Sequence, residues 1–278
     1  MEHVIIGYGY CGFYLARQLL QRGFRVTAYS RHYPECYYLK ELKHCAKNIS
    51  TADISCPHPL IVYYLIPPPQ QGIRDETLSQ FLAVNKQYIN KIIYFGSSAV
   101  YGDHHGAWVQ ETTPCHLEYD RQRRRLDAEQ QCQTIAGHNL LRIAGIYGPN
   151  RLPLAAAKNQ SPIICTEEAP YVNYIYVEDL AQIAINIALS NVNATVNVAD
   201  GEPIKAGQFQ NLVAQSLGYP LAREEHKETI LEHANPQKQE ILSSSKRLSI
   251  LRLQEILANN VMLTTKTIGI MQSIPTDY

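Results

Sequence analysis

Residues 5–14 read Ile-Ile-Gly-Tyr-Gly-Tyr-Cys-Gly-Phe-Tyr, so Gly7, Gly9 and Gly12 stand in G-x-G-x-x-G spacing at the start of the chain. An apolar run, Val4-Ile5-Ile6, leads into them. The stretch that follows carries Leu15, Ala16, Leu19 and Leu20 on one helical face and ends at Gly23 before a second apolar run. This predicts strand, tight turn and helix. In such a turn Gly7 allows the bend, Gly9 lets backbone approach a diphosphate, and Gly12 lets helix and strand pack closely. Tyr10 and Cys11, between the last two glycines, belong to the same cofactor-binding turn. The N–H groups and positive dipole end of the helix then face the phosphates. The expectation is a dinucleotide site.

Length and composition fit one enzyme-sized globular unit. The chain has 278 residues, 45% of them hydrophobic and 18% charged. That is too apolar for disorder. The formal net charge is zero, which gives no general electrostatic case for nucleic acid or an anionic membrane. No apolar run approaches the length of about 18 residues that a membrane span needs. The seven cysteines form no Cys-x-x-Cys pair and read as reduced thiols in a cytoplasm. The ten histidines lack metal spacing, and no metal site is expected.

Strand and helix patterns alternate along the chain. Strands are expected at Phe24 to Tyr29, weakly at Ile49 and the residues before Asp53, and at Leu60 to Ile66. The last of these stops at Pro67-Pro68-Pro69, which cannot continue a ladder. Further strands are expected at Lys91 to Gly96, Leu140 to Ile143, Val172 to Tyr176 and Ala194 to Val198. Helices are expected over about 73–88, 120–136, 178–189 and 205–217. This order predicts an α/β fold, a doubly wound parallel sheet of Rossmann type with a smaller C-terminal substrate lobe. Residues 1–150, joined by 172–198, are assigned to the dinucleotide-binding domain, and 151–171 with 199–278 to the lobe. Ligands of such sheets sit beyond the C-terminal strand ends. Gly7, Ser30, Asp53, Pro67, Ser97 and Ala144 are all expected there.

Longer motifs resemble a known family, the extended short-chain dehydrogenases/reductases, which include nucleotide-sugar epimerases and dehydratases. They are, in order, the glycine turn, Ser97-Ser98-Ala99-Val100-Tyr101-Gly102, Glu111-Thr112-Thr113-Pro114 and Leu141-Arg142-Ile143-Ala144-Gly145-Ile146-Tyr147-Gly148-Pro149. Asn173-Tyr174-Ile175-Tyr176-Val177-Glu178-Asp179-Leu180-Ala181 and Val196-Asn197-Val198-Ala199-Asp200-Gly201-Glu202-Pro203 complete the series. Two departures from the family stand out. Its usual turn is G-x-x-G-x-x-G, which marks this chain as an atypical subgroup. Its catalytic Tyr-x-x-x-Lys is also degenerate here. Glu129 matches the glutamate that follows the family's lysine by four residues, which places Arg125 at the lysine and Arg121 at the tyrosine. A second register pairs Tyr119 with Arg123. Arginine cannot act as a general acid near neutral pH. At least two of Arg121, Arg123, Arg124 and Arg125 are expected on a solvated helix face.

The resemblance implies further roles. Ser97 matches the serine or threonine that hydrogen-bonds the substrate oxygen, although a strand-end serine also caps backbone. Asp53-Ile54 matches the adenine contact, Leu65-Ile66-Pro67 should pass beside the diphosphate and ribose, and Ala144-Gly145-Ile146 completes the cofactor set. Tyr101 and Trp108 are expected to line the substrate pocket. After the second strand an NAD site usually carries an acid for the ribose hydroxyls. This chain has Tyr29-Ser30-Arg31 instead, and Ser30 with Arg31 suits a 2′-phosphate, so NADP is favoured over NAD. The expected partner is a small molecule, with a nucleotide sugar as the implied class. No nucleic acid or membrane partner is expected, and a homodimer is compatible with the sequence. The function implied is an NAD(P)-binding oxidoreductase, epimerase or dehydratase relative with altered catalytic residues. The alternative is a dinucleotide-binding sensor without turnover.

Overall fold

The computed structural model describes residues 2–49, 53, 54, 56, 58–258 and 262–276. Seven parallel strands make the central sheet: β1 Glu2–Ile6, β2 Val26–Ser30, β3 Lys43–Ala46, β4 Leu60–Tyr64, β5 Ile89–Phe95, β6 Gly137–Ile143 and β7 Ala194–Val198. Their order is β7-β6-β5-β4-β1-β2-β3. The chain winds outward from β1 to β3, returns to the other side of β1 at β4, and winds outward again to β7. The winding reverses between β1 and β4, the position where sheets of this kind bind ligands.

Side chains alternate across the sheet with a period of two. Ile5, Ile61, Tyr63, Ile93 and Leu141 enter one core, while Ile6, Val62, Tyr64, Ile92, Tyr94 and Leu140 enter the other. Helices α1 Tyr10–Gln21 and α4 Val177–Leu189 pack on each other over the first face. Helices α2 Glu76–Asn85 and α3 Asp120–Cys132 cover the second. Local chemistry sets their ends. Asp75 caps α2 by accepting the Leu78 N–H at 3.0 Å. Glu178 and Asp179 place negative charge in the first turn of α4, where the helix dipole favours it.

The expected doubly wound parallel sheet is therefore present, with one strand misplaced. The third strand is Lys43–Ala46, not the segment at Ile49. As an edge strand of mixed polarity it lacks the apolar alternation that signals a strand, while the buried Ile49 follows it outside the strand. Residues 50–52 lie outside the described residues. Elsewhere the boundaries move by a few residues. β4 ends two residues before the expected Ile66, although the Leu65 N–H still bonds the Ile6 carbonyl at 2.8 Å. The expected strand at Val172 to Tyr176 is two pieces, Tyr171–Val172 and Tyr174–Tyr176.

Short two-stranded ladders lie outside the sheet. Among them, Trp108–Val109 pairs with Arg247–Leu248 and Tyr171–Val172 pairs with Ile204–Lys205. Ile164, Ala169, Ala206 and Leu242 form a third, small core there. No helix among the described residues is long and apolar enough to cross a membrane. All seven cysteines are free.

Candidate functional site

The three glycines of the first turn occupy three different environments. Gly7 has φ +99°, and a Cβ there would lie 2.8 Å from Ile66 Cγ1 and 3.2 Å from the Ile66 backbone nitrogen. Only glycine fits both the backbone conformation and the space. At Gly12 a Cβ would sit 3.1 Å from the Gly7 carbonyl oxygen and 3.6 Å from Ile5 Cγ2, which is the close approach of α1 to β1. A Cβ at Gly9 would meet nothing within 4 Å. Gly9 starts α1 without a side-chain cap, and the first turn, Tyr10 and Cys11 included, carries no acidic residue. Open space and an uncapped helix start thus coincide at the point where the winding reverses. Leu65 and Ile66 pass directly beside this turn, as Gly7 demonstrates, and Pro67 follows them out of the strand end.

The segment after β2 is built from aromatic rings. Tyr8 packs against Tyr33 and His44, and Tyr33 stacks on His44 with ring centroids 4.3 Å apart. Ser30 donates its hydroxyl to the His32 carbonyl, and its oxygen lies 2.8 Å from His44 Nε2. Its O–H is thereby already engaged inside the protein. Arg31 is exposed and makes no ion pair among the described residues. The Ile54 N–H is held by Asn85 Oδ1 at 2.9 Å, which fixes the backbone at buried Ile54, and Asp53 beside it is exposed.

A cavity of about 350 Å³ opens at the ends of β5 and β6, lined by Ser97, Arg121, Ala144, Gly145, Asn173 and Lys246 among others. Ser97 follows β5 and its Oγ accepts the Ala99 N–H at 3.2 Å, which starts the turn Ser98–Tyr101 and leaves the O–H available to donate. Ser97 thus caps backbone and also lines the cavity. Ala144 and Gly145 are held against neighbouring chain by bonds to the Val198 and Asn173 carbonyls. Ile146 continues in the ladder with Ile175.

Lys246 comes from the far end of the sequence. Asn173 grips its carbonyl at 2.9 Å and the Leu248 N–H at 2.8 Å, while Asp103 holds the Ser245 N–H at 2.7 Å. Nζ donates to the Gly102 carbonyl at 2.9 Å and to Ser244 Oγ at 2.6 Å. The residue is only 8% exposed. Burial brings its ammonium down to about 8, with Asp103 pulling upward and Arg121 pushing further down.

The arginines of α3 separate. Arg121 lines the cavity, where Glu240 binds it through both Nε and Nη2. Arg123 lies partly in solvent, beside Asp120 and the Leu117 and Glu118 carbonyls. Arg124 is buried and donates to the Gly72 carbonyl. Arg125 takes no part in the cavity lining. Burial lowers its pKa and the neighbouring Tyr94 raises it, while its Nε has no hydrogen-bond partner among the described residues. Of the four arginines, Arg123 and Arg121 keep 41% and 29% of their side chains exposed, whereas Arg124 is buried where α3 lies against the sheet.

Two aromatic expectations are also corrected. Tyr101 is fully buried and donates to Asn197 Oδ1 at 2.7 Å, so it belongs to the core and not to this cavity. Trp108 is 51% exposed and lines a different cavity, with Leu248 and Ile250. Tyr119 precedes α3, is 40% exposed and is absent from the cavity wall. Glu129 is structural, since it forms a buried bidentate pair with Arg142 at 2.8–3.3 Å.

The sequence reading missed Lys246 and Glu240, which sit in a polar stretch without periodicity. Among the described residues Cys165, Glu168 and His226 bring ligand atoms within 4.8 Å of one another. Both Glu168 oxygens are already engaged there, by His226 and the Lys227 N–H, and none of the three residues lines the cavity.

No family model matches the chain, and no curated protein matches it in sequence. Solved structures match over nearly its whole length. A functionally unknown conserved protein from Silicibacter pomeroyi is 27% identical, with a TM-score of 0.82 over 97% of this chain and 96% of that one. A UDP-glucose 4-epimerase from Thermus thermophilus, solved with NAD, is 17% identical with a TM-score of 0.75 and 98% coverage of both chains. A UDP-glucuronic acid 4-epimerase from Bacillus cereus, also solved with NAD, is 14% identical with a TM-score of 0.77 over 98% and 97%. The chain thus shares the Rossmann-type fold of UDP-sugar epimerases.

Proposed function

We propose that the chain binds a nicotinamide dinucleotide across the Gly7–Gly12 turn and acts as an NAD(P)-dependent oxidoreductase of the epimerase/dehydratase type. In this reading it is an atypical relative of the extended short-chain dehydrogenases with a rebuilt acid–base site. The contrast among the glycines carries the proposal. Two of them are demanded by the protein's own packing, whereas the space at Gly9 serves no contact within the chain. A diphosphate fits that demand, and the uncapped start of α1 supplies N–H donors for it. Gly7, Gly9, Tyr10, Cys11 and Gly12 would hold the diphosphate. Leu65, Ile66 and Pro67 would flank it, and Asp53 with Ile54 would meet the adenine. Ala144, Gly145 and Ile146 would lie toward the nicotinamide end. NAD in neighbours of the same fold supports the cofactor class. Arg31, exposed and without an ion pair among the described residues, favours the 2′-phosphate of NADP, and Arg31 rather than the engaged Ser30 is the residue that would bind it.

Such a cofactor, when bound, exchanges hydride with a substrate carbinol carbon. The chain's own part is to hold the substrate oxygen and move its proton. Ser97 can donate a hydrogen bond to that oxygen. Arg121 cannot give up a proton, and Glu240 balances its charge and holds it in place, so the pair serves as a fixed wall. Lys246 is the cavity group whose proton exchanges near neutral pH, the condition that acid–base catalysis needs. A nucleotide sugar is the substrate class we infer, in line with the neighbours' own substrates, and the replaced tyrosine predicts slow turnover on the standard ones.

The second reading, a dinucleotide sensor, draws on the Arg121–Glu240 pair at the tyrosine position. One experiment separates the two. Fluorescence titration with NADPH is run beside NADPH oxidation with carbonyl substrates and product detection by NMR with nucleotide sugars, whose epimerisation consumes no cofactor. Binding with turnover that disappears in Lys246→Met supports the enzyme, and binding without any turnover supports the sensor.

A further inference from the structure

The loop that carries Arg151 meets the start of α1. The turn at Gly148, Pro149, Asn150 and Arg151 presses onto the first residue of α1. Gly148 has φ +154°, and a Cβ there would lie 2.6 Å from both the Tyr10 hydroxyl and Val177 Cγ1, so this approach is close and fixed. The Arg151 N–H bonds the Gly148 carbonyl at 2.9 Å and closes the turn. Its guanidinium then lies over the Tyr10 ring, 4.6 Å from the centroid. The charge also acts on the Cys11 thiol and on Tyr37 after β2, in each case opposing the upward push of burial. Arg151 therefore stands over the first turn of α1, between the loop after β6 and the loop after β2.

No carboxylate pairs with Arg151 among the described residues, and the side chain is exposed. Arg17, on α1 itself, is tied to Glu178 and is not free in this way. A planar guanidinium held over an uncapped helix start matches the geometry of a diphosphate, which accepts paired N–H donors.

We propose that Arg151 clamps the diphosphate of the dinucleotide against the first turn of α1, an inference that rests on the cofactor reading above. Arg31 would read the 2′-phosphate, whereas Arg151 would act on NAD and NADP alike. The test is calorimetric titration of the full chain with NADH, NADPH, ADP-ribose and adenosine, for the wild type, Arg151→Ala and Arg151→Lys. Circular dichroism checks the fold, which should persist because the side chain is exposed. Arg151→Ala should weaken NADH, NADPH and ADP-ribose by about tenfold or more, the loss expected for hydrogen bonds to a charged group. Adenosine binding should not change, and Arg151→Lys should recover part of the loss. Equal affinity of Arg151→Ala and wild type for NADH overturns the clamp, as does a loss confined to NADPH. A wild type that binds none of the four overturns the cofactor reading, and the clamp with it.

Discussion

Arg121 and Glu240 are 119 residues apart in sequence and meet at the cavity wall, Nη2 to Oε1 at 2.8 Å and Nε to both carboxylate oxygens at 3.2 Å. The bidentate geometry fixes the guanidinium plane. In the proposed chemistry Lys246, not Arg121, supplies the cavity's exchangeable proton.

That assignment has a pH signature. The folded Lys246 titrates at about 8, against 10.5 for the free side chain. Below about 8 both states hold the proton, and the fold carries the full cost of a buried ammonium. Between about 8 and 10.5 the unfolded chain binds a proton that the folded chain has released, so stability from this group rises with pH. The full gain is about 3 kcal/mol at 1.36 kcal/mol per unit. Urea unfolding of wild type and Lys246→Met at pH 7 and pH 10 checks it. The wild type should gain on the variant at the higher pH, and a gap that stays constant would refute the assignment.

The proposed NADP preference rests on Arg31. Arg31→Ala is expected to lose about 1.5–3 kcal/mol of NADPH affinity, the range for hydrogen bonds to a charged group. NADH should change little, because it lacks the 2′-phosphate that Arg31 would meet. Fluorescence titrations with both cofactors decide it, and equal losses would remove the NADP preference.

Tyr119 stands outside the cavity wall, and the proposed chemistry does not use it. It lies at the start of α3, 40% exposed, and takes no part in the cavity wall. Tyr119→Phe should leave any turnover within about twofold of wild type, whereas general acid–base loss would cost roughly 10²–10⁴-fold. A drop of that size would restore tyrosine catalysis in the shifted register.

The fold was legible where patterns are local. The glycine spacing located the turn, and the apolar runs at β1, β4 and β5 located their strands, because buried parallel strands read as continuous hydrophobic stretches. β3 was not legible, since Lys43, His44 and Cys45 at a sheet edge carry no such run. The cavity was half legible. Ser97, Ala144 and Gly145 sit at strand ends that topology brings together. Lys246 meets Gly102 across 144 residues from a serine-rich segment, and no local pattern announces that contact. Arg125 illustrates the converse failure. A charged helix reads as solvated, but α3 lies flat on the sheet and takes Arg124 and Arg125 with it.

Gly9→Val tests the central claim most directly. Gly9 has a negative φ of −139°, and its Cβ position meets nothing within 4 Å. The substitution therefore meets no neighbouring atom of the protein itself and obstructs a ligand that lies against the turn. Titration of wild type and variant with NADPH, beside circular dichroism and thermal unfolding, is the measurement. The account predicts an unchanged fold and loss of NADPH binding. An unchanged fold with undiminished NADPH affinity would contradict it, and the glycine turn would then be packing alone.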